Sequence, residues 1–272
     1  MNNISRKLLT ITTAGSLVAL TACGGSGVED PPALSDIDDL MWETVQEQES
    51  VTISADMSQL MDTMDDGSNM FGGMFGPDGD SVKIYGDLDG TSMAVALGED
   101  DLMRVFGQDA AYLSGDAIFS IFGGEGLTEQ EVFEEIREEL AGTWIDFSSE
   151  LGDDEDLNIE SLLSELQDSW AEGDDSGETP ITRDEISDEG IHEVRDEQDV
   201  WVYEGAEDGQ ELVLEANHDA PIIVAISDGD NTMTFSDWNE TESPERPEES
   251  QIIDEDEFEQ RMMEIMLGNG SL

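Results

Sequence analysis

The chain of 272 residues has one cysteine, two histidines and nine basic side chains against 69 acidic ones. A lone Cys23 can form no intramolecular disulfide, so stability must come from an apolar core, for which 37% hydrophobic residues suffice. The first 22 residues hold Arg6 and Lys7 and no acid, so residues 23–272 carry a formal charge of −62, with Lys83 as their only lysine. Binding to nucleic acid is excluded, because neutralising backbone phosphates takes Lys and Arg. Docking on anionic lipid through basic residues is excluded for the same reason. Catalytic signatures are missing too. There is no GxSxG elbow and no GKS or GKT to end a phosphate loop. His192 and His218 stand in weak-strand and turn contexts without HExxH spacing. Among 69 acids, close carboxylate pairs arise by chance and say nothing about acid–base chemistry. No catalytic residue, metal ligand or cofactor is expected. Calcium is the nearest case, at Asp78-Gly79-Asp80 and Asp153-Asp154-Glu155-Asp156. Neither run continues as an EF-hand: Val82 and Lys83 stand where the first needs a ligand and a glycine.

What remains abundant is negative charge. It suits either a host that lives at high salt or a surface protein kept soluble by repulsion. At ~0.15 M salt screening reaches about 8 Å, so self-repulsion is strongest in dilute buffer. Melting temperature should therefore rise by several degrees between dilute buffer and ~1 M NaCl, the equivalent of about 1–2 kcal/mol. Calorimetry across that range is the check, and a flat or falling curve would contradict it.

Long apolar runs are confined to the start. Arg6 and Lys7 precede Leu8–Ala19, which only Thr, Ser and Gly interrupt, and Leu20-Thr21-Ala22-Cys23 follows. The run is short for a membrane span and fits a cleaved export signal. The four-residue string resembles the lipobox of bacterial lipoproteins, which implies diacylation of Cys23 as the mature N-terminus. The expected organisation is a signal peptide over 1–22, a lipidated tether over 23–33, a domain over 34–239 and an acidic, unstructured tail over 240–272. The expected location is extracytoplasmic, on the bacterial cell membrane through the lipid at Cys23.

Periodicity assigns the elements. Ser35 as N-cap, then Ile37, Leu40, Met41 and Val45, predict an amphipathic helix to about Gln48. Val51, Ile53 and Ala55 alternate with polar residues, as do Val82, Ile84 and Leu88 before an Asp89-Gly90 turn, and Met93, Val95 and Leu97 after it. Leu102–Phe106, Ala110–Leu113 and Gly142–Phe147 continue as strands. Helices are expected from Thr128 to Leu140, with Val132, Phe133, Ile136 and Leu140 apolar, and from Ile159 to Trp170. Strands resume at Ile181–Ile186, Ile191–Arg195, Val200–Tyr203, Glu211–Ala216, Ile222–Ser227 and Thr232–Asp237, and a final amphipathic turn or two surrounds Phe258 and Met262. Helices segregated from strand meanders mean an α+β fold, a curved antiparallel sheet with helices on its concave side.

This order, with the strings Asp109-Ala110-Ala111-Tyr112-Leu113, Gly142-Thr143-Trp144-Ile145-Asp146-Phe147, Asp219-Ala220-Pro221-Ile222-Ile223-Val224 and Thr234-Phe235-Ser236-Asp237-Trp238, resembles actinobacterial lipoproteins of the LppX/LprG type and their LolA-like half-barrel relatives. The resemblance implies an apolar cavity between sheet and helices and an acyl lipid or glycolipid as ligand. The expected lining is Val51, Ile53, Val82, Ile84, Met93, Val95, Leu97, Val202, Ile222 and Val224. Met57–Phe75 is unusually rich in methionine, and Met57, Met61, Met64, Met70, Phe71, Met74 and Phe75 form either a ligand flap or a loop that completes the core. A second reading of the whole chain is a membrane-anchored interaction protein with a solid core, its acidic tail recruiting a basic partner.

Overall fold

The protein's structure, a computed structural model, describes residues 30–56, 81–98, 100–117, 131–149, 157–172 and 181–268. Cys23 and the methionine-rich segment Met57–Phe75 lie outside the described residues.

Twelve strands make one sheet. They are β1 (Ser50–Asp56), β2 (Ser81–Asp87), β3 (Met93–Leu97), β4 (Asp100–Phe106), β5 (Ala110–Ser114), β6 (Trp144–Asp146), β7 (Ile186–Arg195), β8 (Gln198–Gly205), β9 (Gln210–Glu215), β10 (Ile223–Asp228), β11 (Thr232–Ser236) and β12 (Ile252–Ile253). Their order is β12-β6-β5-β4-β3-β2-β1-β11-β10-β9-β8-β7. Two meanders, β1 to β6 and β7 to β11, are sewn together along β1 and β11, where Ile53 faces Phe235. The expected α+β class with an open, curved sheet is what the structure has. Among the described residues there are four helices, α1 (Leu34–Gln46), α2 (Glu131–Leu140), α3 (Ile159–Glu172) and α4 (Glu255–Gly268). None is long and apolar enough to cross a membrane.

Alternation decides which face the helices cover. Val51, Ile53, Val82, Met93, Val95, Val105 and Ala111 are buried on one face, in a single cluster with Ile37, Met41, Trp42 and Val45 of α1 and Ile159, Leu163 and Trp170 of α3. A second cluster on the same face joins Leu113 and Ile145 to Ile136 and Leu140 of α2, with Phe258 and Met262 of α4 packed against it. Met103 and Phe147 touch both clusters and make them continuous.

Two expectations need correction. In β8 it is Trp201 and Tyr203 that enter the helix-covered core; Val202 turns the other way, into a small cluster with Val200, Val213 and Ala225, with Val224 packed against it. Val200-Trp201-Val202-Tyr203 is apolar on both faces, so its period cannot say which one is inside. In β10 the register shifts between Ile223 and Ala225, which puts Ile222, Ile223 and Ile226 inside and leaves Val224 out.

Part of the stretch expected to be an acidic tail packs on the sheet. Residues 239–251 run as a strap across the outer face of β1 to β6. Thr241 Oγ1 lies 3.0 Å from Thr52 Oγ1, and Ser243 Oγ donates to Asp87 at 2.5 Å. The Arg104 guanidinium sits 4.5 Å above the Trp144 ring and donates to the Glu245 carbonyl at 2.8 Å. Arg246 stands over Phe106 and Tyr112 at 5.1 and 5.9 Å. The strap ends in β12, which pairs in parallel with β6 and buries Ile253.

Candidate functional site

An opening lies among the described residues between α1 and α3. Pro31 and Pro32 precede α1, and Tyr203 Oη donates to the Pro32 carbonyl at 3.0 Å, fixing where the helix enters. Ser35 is not its N-cap. Ala33 is, and no side chain of its own caps the helix. Asp188 of β7 serves from a distance instead, its Oδ1 accepting from the Ser35 backbone N–H at 3.1 Å. Bonding to the Arg183 guanidinium holds the Asp188 carboxyl below its usual range, so it is an anion beside the positive end of the helix. Asn158 caps α3, its Oδ1 accepting from Ser161 N at 2.7 Å.

Two hydrogen bonds tie the helices together. Trp170 Nε1 donates to Asp38 Oδ1 at 2.9 Å, and Gln46 Nε2 donates to Gln167 Oε1 at 2.9 Å. Burial raises the pKa of Asp38, opposed by the bond from Trp170 and by Arg183, whose Nε lies 3.4 Å away.

Where the last turn of α1 and the first half of α3 overhang the β2–β3 turn, a cleft of about 640 Å3 opens. Trp42, Val45, Leu88 and Leu163 form its apolar wall, while Gln46, Gln48 and Gln167 lie along its polar side. Trp42 is 5% exposed, and its indole N–H has no hydrogen-bond partner among the described residues. Leaving such a donor unmatched costs about 1–3 kcal/mol. Past Asp89, Glu160 and Ser164, the cleft continues into a shallower depression of about 590 Å3. Asn158, Ser161, Glu165 and Asp168 line that part, and its lining includes no Lys or Arg.

Of the residues expected to line a cavity, Val51, Ile53, Val82, Met93, Val95 and Ile222 are buried against the helices, and Ile84 and Leu97 pack at the edge of the same cluster. None of them lines the cleft. The expected flap residues lie outside the described residues, but the strand ends that bear them are placed. Asp56 and Ser81 pair at the far end of β2 from Leu88, roughly 20 Å away along a seven-residue strand. Sequence reasoning missed Trp42 and the Gln46–Gln167 bridge. Trp42 follows Met41 on the buried side of α1, and that position was its only signal.

The histidines stand elsewhere. His192 Nε2 lies 2.9 Å from Asp199 Oδ1, and the His218 ring packs edge-on to Trp201 at 4.6 Å between centroids. Among the described residues no group of three or more His, Cys, Asp or Glu side chains could hold a metal ion.

No family model matches the sequence, and no curated protein is recognisably similar to it. Among solved structures, the chain is similar to the crystal structure of the Mycobacterium tuberculosis lipoprotein LppX, at 14% identity and a TM-score of 0.37, over 79% of this chain and 98% of that one. A match at that level bears on neither ligand nor chemistry, so function rests on the cleft.

Proposed function

We propose that this protein is a cell-envelope lipoprotein, anchored through acylated Cys23, that binds an apolar ligand of the acyl-lipid class on the helix-covered side of its curved sheet. The observation that supports this reading is the cleft between α1 and α3. Its volume, about 640 Å3, falls within the roughly 300–1,000 Å3 of small-molecule sites. Its wall of Trp42, Val45, Leu88 and Leu163 offers an acyl chain shelter at about 25 cal/mol per Å2 of apolar surface removed from water. The mechanism is shielding: the protein holds the chain out of water and no bond is made or broken. The methionine-rich segment Met57–Phe75 belongs to the reading as an adaptable apolar cover.

A second reading has its own support. The sheet-lining side chains pack continuously against α1 and α3, as they would in an interaction protein with a solid core.

One experiment separates the two. Replacing Cys23 by Ser should release the protein from the membrane fraction of its own host, because stable anchoring takes two acyl chains. Native mass spectrometry of that soluble form should then show a bound mass that organic solvent removes. Polar replacements at Met70, Phe71 and Met74 should lower the loaded fraction without changing the melting temperature. A folded protein with no bound lipid would favour the solid-core reading.

A further inference from the structure

The strap over the outer face of the sheet is fastened at its ends and loosely laid between them. Asn239 N donates to the Ser50 carbonyl at 2.9 Å at one end, and the Gln251 carbonyl accepts from Trp144 N at 2.8 Å at the other. No backbone group of residues 242–250 bonds to the sheet's backbone among the described residues, and residues 241–248 form neither helix nor strand. What holds this middle stretch is an arginine–proline pair. The Arg246 guanidinium lies over Phe106 and Tyr112, whose rings are 6.0 Å apart, and Pro247 is buried. Arg104, held by Asp101 and stacked on Trp144, donates to the carbonyl of Glu245, the residue before the arginine. Ser243 adds one hydrogen bond, to Asp87.

Proline disfavours helical backbone in the residue before it, so Ser243 and Arg246, each followed by proline, are kept extended. Aromatic surfaces bind proline-rich segments in this extended form, and ring faces attract an arginine. The strap's own sequence fits such a groove badly in one respect. It lays Glu240, Glu242, Glu245, Glu248 and Glu249 on a chain with 69 acidic residues, all five are exposed, and none of their carboxylates bonds to the sheet among the described residues. Lysines in their place would keep every contact just named and turn repulsion into attraction.

We propose that the outer face of β4 to β6 is a docking groove for an extended, basic segment of a partner protein that carries Arg-Pro. The middle of the strap is the resident competitor that such a segment lifts, while the strap's ends, β12 and α4 stay in place. The groove is on the other face of the sheet from the cleft and is independent of the carrier reading.

The test uses the full chain with Cys23→Ser. The probe peptide is the sequence of residues 240–250 with every Glu replaced by Lys, and the control changes its Arg-Pro to Lys-Ala at the same net charge. Calorimetry in ~0.15 M NaCl should give one probe per protein, bound about tenfold more tightly than the control, the margin of a cation–ring contact together with a buried proline. Both affinities should fall in ~1 M NaCl while their ratio stays. The strap is tethered at an effective concentration on the order of millimolar, so weakening it must help the probe. Arg246→Ala, at an exposed residue, should keep the fold and raise probe affinity about fivefold. Phe106→Leu, which keeps an apolar side chain and removes the ring, should shrink the probe-to-control ratio to about twofold. Equal binding of probe and control to the unmodified protein would reduce the effect to bulk charge and overturn the proposal, as would no binding of the probe. An affinity unchanged by Arg246→Ala would overturn it too, because the probe would then sit somewhere other than beneath the strap.

Discussion

Deleting residues 240–272 should lower the melting temperature by about 10–20 °C, although it removes eleven acidic residues and only Arg246 and Arg261 from an overcharged chain. On charge alone the truncated protein would gain stability, because self-repulsion falls. The strap reverses the sign. Its loss uncovers the ring faces of Phe106 and Tyr112 beneath Arg246 and breaks the bond from Arg104 to the Glu245 carbonyl. It also strips β12 from β6 and takes away Ile253, which is 6% exposed, with the partly buried Phe258 and Met262. Full burial of an Ile is worth about 1.5–3 kcal/mol, and the half-buried Phe and Met contribute a similar amount together. A total of about 5 kcal/mol is a large share of the 5–15 kcal/mol that holds a typical domain. Calorimetry in dilute buffer decides it: an unchanged or higher melting temperature would mean that the tail is a passenger. Arg246→Ala alone should cost about 1 kcal/mol, since Arg246 is exposed and a cation–ring contact at an exposed site is worth about 0.5–1 kcal/mol.

The second large effect is expected at Gly86. Its φ is +146°, where L side chains rarely sit, and an added Cβ would lie 2.3 Å from the Ser92 carbonyl oxygen and 2.7 Å from Met93 Cα. Both are backbone atoms of the neighbouring strand or its approach, so no side chain can swing aside. Relieving the overlap means pushing β3 from β2 and loosening the Asp87 N–H bond to the Ser92 carbonyl, now 2.9 Å. Gly86→Ala should therefore cost about 3–5 kcal/mol, from overpacking and backbone strain together. Gly98 is the comparison: φ is +62° and nothing lies within 4 Å of an added Cβ. Gly98→Ala should cost only the conformational penalty, about 1–2 kcal/mol. Urea midpoints with unchanged m-values would measure both. Equal effects at the two glycines would show that the strands separate freely at Gly86.

How much of this was legible in the sequence differs from element to element. The first meander could be read because Val82, Ile84, Val95 and Leu97 alternate with polar neighbours about a glycine turn, and β2 and β3 pair as that pattern requires. In β8 both faces are apolar, so the strand was visible and its orientation was not. The β7–β8 hairpin carried no turn signal. Its two-residue loop is Asp196-Glu197, both at positive φ, where Asn-Gly would have announced it. Ile181–Ile186 and Ile191–Arg195, read as two weak strands, become a capped turn over Arg183–Glu185 and one long strand, Ile186–Arg195. The strap was hidden by composition. Ten acids in residues 240–259 suggest solvated chain, and only Ile252-Ile253 and Phe258 hint otherwise. The cleft was least visible of all. It depends on Gln46 and Gln167, 121 residues apart, and on the angle at which two helices cross a turn.

The seam between β1 and β11 has a bearing on how the chain is made. Residues 52–55 pair with residues 233–236, so the middle of the sheet cannot close until nearly the whole polypeptide is present. Either meander can begin from local hairpins within microseconds, but the seam must bring together ends about 180 residues apart. Pairing at such separation is slow, and it leaves two half-sheets with open edges while it waits. The heavy negative charge keeps sister chains apart during the same interval. Late closure of the seam thus exposes the edges of β1 and β11 for longest, and repulsion between copies acts over that same interval.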